Sequence, residues 1–155
     1  MSYIFDTSAF VVLFDNYYRG VFKTLWSNFD EMVETEEIFS TREVKREIED
    51  QTDKLTIWMK DNTDIFTMPT AEEGAFVGQI YQVRLFRDGI EQKKILKGGK
   101  NADPFVIAKA KVTKKTVVTL ERGKPNSAKI PNICKHFGVE CVDLESFMKA
   151  EDWTF

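Results

Sequence analysis

At 155 residues, 43% of them hydrophobic and 30% charged, the chain is long enough for a sizeable core and too apolar to be disordered. A formal net charge of −3 excludes a protein that coats nucleic acid through bulk positive charge, but not one that meets phosphates through a local basic strip. Two cysteines and one histidine exclude a disulfide scaffold and a multi-histidine zinc site, and argue against a Ser–His or Cys–His nucleophile.

No run approaches the roughly 20 apolar residues that a membrane span needs. Met1-Ser2-Tyr3 begins no basic-then-apolar leader. The expectation is one cytoplasmic domain over residues 1–155, with no membrane partner.

Residues 2–6 read as a first strand ending on Asp6. The apolar run Phe10-Val11-Val12-Leu13-Phe14 predicts a buried helix from Ala9 to Tyr18, closed by Arg19-Gly20. Val21, Leu25, Trp26 and Phe29 recur at helical spacing. Ile38-Phe39-Ser40 fits a second strand, and Ser40 or Thr41 can cap a helix from Arg42 to Asp50. A short helix around Leu55, Trp58 and Met59 precedes an extended piece, Ile65-Phe66-Thr67.

Thr70-Ala71-Glu72-Glu73 starts a helix, with acids where the dipole favours them. Its apolar stripe runs from Phe76 to Phe86 and is wide enough to suggest burial on two sides, against the core and a second subunit. Core packing alone also explains it. Asp88 to Lys100 reads as a mobile loop. Its lysines Lys93, Lys94, Lys97 and Lys100 are candidates for RNA phosphate contacts, or simply a solvated charged turn.

In Asn101-Ala102-Asp103-Pro104, Asp103 is placed to cap a helix and Pro104 to take its first position. Thr116 to Thr119 is a β-branched strand leading to Leu120-Glu121. Arg122 to Ala128 is a loop, Ile130 to Phe137 a helix closed by Gly138, and Val139 to Val142 a last strand. Leu144, Phe147 and Met148 mark a final helix. Cys134 and Cys141 fall in these elements and read as buried, reduced thiols. Alternation of strands with helices predicts an α/β fold with a mainly parallel sheet.

Four acids occupy positions that such a sheet gathers along one edge. Asp6 and Glu121 close strands, Asp103 starts a helix, and Glu47 lies on a helix that follows a strand. Buried carboxylates repel one another, and a divalent cation removes that penalty. Oxygen-only ligands select Mg²⁺ or Mn²⁺ over zinc. The hydroxyls of Thr7, Ser8 and Thr119 could orient water or phosphate. Each acid also has a plain reading as a cap or a surface charge, one that suits Asp103 best and Glu121 least; Asp6 before Thr7-Ser8 is a good N-cap.

Four segments, in order, resemble the PIN domains. They are Ile4-Phe5-Asp6-Thr7-Ser8-Ala9-Phe10, Ser40 to Ile48 with Glu47, Asn101 to Ala110 with Asp103, and Val117-Val118-Thr119-Leu120-Glu121. The wording Asn-Ala-Asp-Pro, Thr-Leu-Glu and Ile-Pro-Asn-Ile-Cys is most similar to a bacterial and archaeal branch described as a domain of unknown function. The resemblance implies a three-layer α/β/α sandwich. It also implies a Mg²⁺- or Mn²⁺-dependent RNA endonuclease, with Asp6, Glu47, Asp103 and Glu121 as catalytic metal ligands. A role as the toxin of a toxin–antitoxin pair follows from it, with an antitoxin partner and a homodimer. The alternative is a catalytically silent PIN fold that binds RNA or protein. The chain departs from the family in two ways: Glu121 stands where many relatives carry Asp, and Gln51 to Lys100 is longer than in compact toxins. Glu43, one turn before Glu47, is the alternative second acid. A P-loop is absent, and Ser8 stands where a phosphatase would want a second Asp.

Overall fold

The computed structural model describes residues 1–49 and 53–154. Asp50, Gln51, Thr52 and Phe155 lie outside the described residues, and with them the expected end of the helix from Arg42 and the last position of the 1–155 domain.

The chain begins with β1 (Tyr3–Phe5), α1 (Thr7–Asn16) and α2 (Lys23–Glu34). It continues through β2 (Ile38–Thr41), α3 (Arg42–Ile48), α4 (Lys54–Asp61) and, after a single 3-10 turn, β3 (Phe66–Thr67). Two helices follow back to back, α5 (Ala71–Gln82) and α6 (Arg84–Leu96), then α7 (Asp103–Thr113). The end is β4 (Thr116–Val118), α8 (Ile130–Phe137), β5 (Cys141–Val142) and α9 (Leu144–Ala150).

The five strands lie in the order β3-β2-β1-β4-β5, and every pairing is parallel. Tyr3 stands beside Ile38 on one side and Thr116 on the other. Helices cover both faces, so the three-layer α/β/α expectation holds. It is the PIN-like arrangement.

One face is aromatic. Phe5 projects from β1 against Phe10 of α1, Phe29 of α2 and Phe147 of α9, with ring centroids 5.2, 6.2 and 5.1 Å apart. Trp58 of α4 stacks against Phe10, Phe14 and Phe29 and completes the cluster. Side chains alternate along a strand, so Ile4 faces the opposite way. There α7 crosses β1, β2 and β4, and its residues Val106, Ile107, Ala108 and Ala110 are buried.

The stretch expected to be a loop, Asp88 to Lys100, is the second half of α6 as far as Leu96. Phe86, Ile90, Lys93 and Lys97 fall at spacings of 4, 3 and 4 on one helical stripe. The first two are buried in the core. The last two are lysines, so an apolar pattern could not reveal the stripe. Gly98 and Gly99 end the helix with φ of 71° and 93°. The Gly99 amide bonds to Lys94 O and the Gly98 amide to Ile95 O, a left-handed stop that glycine adopts without strain. The stripe read as one helix from Phe76 to Phe86 is broken at Val83, whose extended backbone ends α5 and starts α6.

Gly89 of α6 has no room for a side chain. A Cβ there would sit 2.4 Å from the Ala128 Cβ in the loop after β4. Gly89→Leu is expected to lower stability by about 1–3 kcal/mol through overpacking, and to displace α6. Urea unfolding and amide chemical shifts along α6 check this.

Both cysteines are free, Cys134 buried and Cys141 half-buried. His136 packs edge-on against Phe86, with ring centroids 5.2 Å apart, and plays a packing role.

Candidate active site

The chain leaves β1 for β2 and β3 on one side, then returns to β4 and β5 on the other. The crevice between the carboxyl ends of β1 and β4 is therefore the switch point of the sheet, where open α/β folds bind ligands. Asp6 follows β1 directly, and Thr119, Leu120 and Glu121 follow β4.

Asp6 caps α1 and faces the crevice at once. Its Oδ1 accepts the Ala9 amide at 2.8 Å. The Ser8 hydroxyl donates to both carboxylate oxygens at 2.8 and 2.9 Å, and the Thr119 hydroxyl donates to Oδ2 at 2.6 Å. Those hydroxyls are fixed in turn: Ser8 Oγ accepts the Leu120 amide at 3.0 Å and Thr119 Oγ1 the Glu121 amide at 3.1 Å. Ser8 and Thr119 thus lock the Asp6 rotamer and tie β1 to the end of β4. Burial pushes the Asp6 carboxyl up to about 7, the hydroxyl and amide donors hold it down in part, and the nearby Asp103 charge raises it.

Asp103 is the first residue of α7 and does not cap it. The position before the helix is Ala102, and the Asn101 side chain accepts the Asp103 amide at 3.1 Å. Asn101 also donates to Ile90 O at 3.1 Å, which pins α6 to the start of α7. Relieved of the capping role, the Asp103 carboxylate meets the Lys93 ammonium of α6. The same ammonium meets Glu121 Oε2, while Glu121 Oε1 accepts the Ile130 amide at 3.2 Å. Burial first, and then repulsion from Glu121, raise the Asp103 carboxyl, with Lys93 opposing. For Lys93, burial lowers the ammonium, but Asp103 and Glu121 together outweigh it and raise it.

Glu47 stands across the crevice on α3. Its Oε1 accepts the Thr7 hydroxyl at 2.5 Å, and its Oε2 accepts the Ala102 amide at 2.9 Å. Lys97, one turn after Lys93, pairs with Oε2 at 3.2 Å. Glu43 points elsewhere and pairs with Arg42 and Arg46 at 2.8 and 3.3 Å. Lys94 is exposed and shares a separate cavity with Glu43, Arg46 and Tyr81, and Lys100 reaches Arg46 O at 3.4 Å.

The four expected acids thus share one crevice, but in two groups. Asp6, Asp103 and Glu121 stand on one side and Glu47 on the other, with a lysine ammonium against each group. No three His, Cys, Asp or Glu side chains among the described residues are gathered closely enough to hold a metal as they stand. Lys93 lies between Asp103 and Glu121, and Lys97 lies against Glu47. Asn101 was not singled out from the sequence, although its position two residues before Asp103 was the available signal.

The family profile "Domain of unknown function (DUF4411)" matches residues 3–155. The chain belongs to the DUF4411 family. No curated protein matches the sequence. Among solved structures, this DUF4411 domain is similar to a chain of VapBC2 from Rickettsia felis, crystallised bound to a DNA fragment from their promoter. The TM-score is 0.52 at 15% identity, over 92% of this chain and 98% of that one. At that identity the likeness shows the PIN-like fold. Among the described residues, no helix is long and apolar enough to cross a membrane.

The donor set fits a hard divalent ion. Every candidate ligand is a carboxylate oxygen, without nitrogen or sulfur. Asp103 and Glu121, from different elements, already close on one cation, the Lys93 ammonium.

Proposed function

We propose that this DUF4411 domain is a Mg²⁺- or Mn²⁺-dependent RNA endonuclease. The observation that carries the proposal is the convergence of Asp103 and Glu121 on a single cation beside buried Asp6, at the switch point of a PIN-like sheet. Asp6, Asp103 and Glu121 would hold the metal, with Glu47 available from the far wall. Bound there, the metal would supply hydroxide at neutral pH and offset charge on the leaving oxygen.

The chain's own residues set the stage. Ser8 and Thr119 hold Asp6 in one rotamer, so its carboxylate is oriented before any ligand arrives. Thr7 and the Ala102 amide do the same for Glu47. Lys94, Lys100 and Arg46 line a neighbouring cavity and would give an RNA backbone a positive approach. A toxin role in a toxin–antitoxin pair, with an antitoxin partner and a cytoplasmic site of action, is supported by the likeness to VapBC2. A homodimer belongs to the same reading.

Incubation with structured RNA and Mn²⁺ is expected to yield discrete fragments. Chelation with EDTA should stop cleavage, and added Mn²⁺ should restore it. Cleavage that persists in EDTA would sink the proposal. Growth arrest on expression of this chain alone tests the toxin role separately.

One observation favours the silent alternative: Lys93 and Lys97 neutralise the acids without any metal. That reading predicts RNA binding without cleavage, and no heat of Mn²⁺ binding by calorimetry.

A further inference from the structure

Lys93 of α6 and Lys97, the residue that ends it, stand one turn apart and face the crevice. Lys93 reaches two carboxylates from two other elements, and Lys97 reaches a third. These carboxylates are largely shielded, with side-chain exposures of 7% for Asp103, 16% for Glu121 and 8% for Glu47. Pairs so shielded hold their geometry better than surface ion pairs. The helix is also seated firmly. Phe86 and Ile90 anchor it in the core, the Gly89–Ala128 contact fixes its height, and Asn101 ties Ile90 to α7.

Resting on the reading of this crevice as a metal centre, we propose that α6 is a built-in competitor for the metal. Lys93 fills the position between Asp103 and Glu121, and a divalent ion loads only by expelling it. A lysine ammonium is a compact point charge with three donors and four rotatable carbons behind it. It can stand where a cation stands and withdraw without moving the helix backbone. The exchange replaces one ammonium with one divalent ion between Asp103 and Glu121, while Lys97 keeps its pairing with Glu47. In the metal-free protein Lys93 offsets part of the charge of these carboxylates, and loading the metal frees it. Metal affinity is set as much by α6 as by the acids themselves.

The test is calorimetric titration of Mn²⁺ into the full chain, comparing wild type, Lys93→Met and Lys93→Arg. Removing the competing charge in Lys93→Met is expected to tighten Mn²⁺ binding by roughly tenfold or more. Lys93→Arg keeps the charge and should bind no tighter than wild type. Thermal unfolding supplies a second reading: metal-free Lys93→Met should melt below wild type, and saturating Mn²⁺ should raise its melting temperature more. Equal or weaker binding by Lys93→Met overturns the competition and leaves the metal centre standing. If none of the three proteins binds Mn²⁺, the metal centre itself falls, and the competition with it. Should Lys93→Met fail to fold, wild type carries the test alone. The Lys93 side-chain NMR signals should move to free-lysine positions as Mg²⁺ binds, and signals that stay in place while Mg²⁺ binds refute the expulsion.

Discussion

Asp6→Asn should eliminate metal-dependent RNA cleavage while making the metal-free protein more stable in alkaline solution. The loss of cleavage should exceed about 100-fold, because exchange even of groups that only support a metal ligand costs 10- to 100-fold. The gain in stability follows from burial. Burial raises the Asp6 carboxyl from its ordinary 3.8 to about 7, so the folded state holds this proton more tightly than the unfolded chain. Below pH 3.8 both states are protonated and the group favours the fold in full. Between 3.8 and about 7 that contribution is lost as the pH rises, and above 7 Asp6 is an ionised carboxylate held in a buried site. The interval corresponds to about 4 kcal/mol at pH 8. Asparagine is neutral and still offers Oδ1 to the Ala9 amide, so it recovers part of this, on the order of 3 kcal/mol. In a chain of this length that is roughly 10 °C in melting temperature. Thermal unfolding in EDTA at pH 5 and pH 8 checks it, since the variant's advantage must grow with pH. An advantage equal at both pH values would refute the assignment of strain to the Asp6 charge. Intact cleavage by Asp6→Asn would remove Asp6 from the chemistry.

The second large effect is in the core. Phe5 is fully buried, and its ring meets Phe10, Phe29 and Phe147 from three helices. Phe5→Ala is expected to cost about 3–5 kcal/mol, because the three surrounding helices cannot all collapse into the space. Against a typical domain stability of about 5–15 kcal/mol this is a large fraction. The urea midpoint should fall with little change in slope, and Phe5→Leu should fall less. Because Phe5 immediately precedes Asp6, the same substitution should also broaden the NMR signals of Ser8 and Thr119.

Much of this architecture was legible in the residues. Tyr3-Ile4-Phe5, Ile38-Phe39-Ser40 and Thr116-Val117-Val118 announce strands by β-branching, aromatics and short apolar runs, and the helices between them announce a parallel sheet. Thr41, Asp53 and Thr70 cap the helices that follow them. The order of the strands was not legible, because pairing is decided by long-range packing that no local pattern carries. Two local readings were overturned for related reasons. Lys93 and Lys97 continue the inner stripe of α6, but they face carboxylates instead of the core, and hydrophobic periodicity is blind to a stripe completed by charge. Asp103 followed by Pro104 looked like a cap, yet Asn101 takes over the Asp103 amide and frees the carboxylate. In both cases tertiary electrostatics assigned a side chain that local chemistry had assigned otherwise.

The two outer strands, β3 and β5, are each only two residues long. An edge that short presents almost no row of unpaired amides and carbonyls for another chain to extend. Strand addition therefore finds little purchase here, and so does the aggregation that exploits long flat edges. Association with a second copy, or with a different protein, falls mainly to helix surfaces and side chains. Which partner is accepted is then written in the outward residues of the helical layers and can change without touching the sheet that holds Asp6.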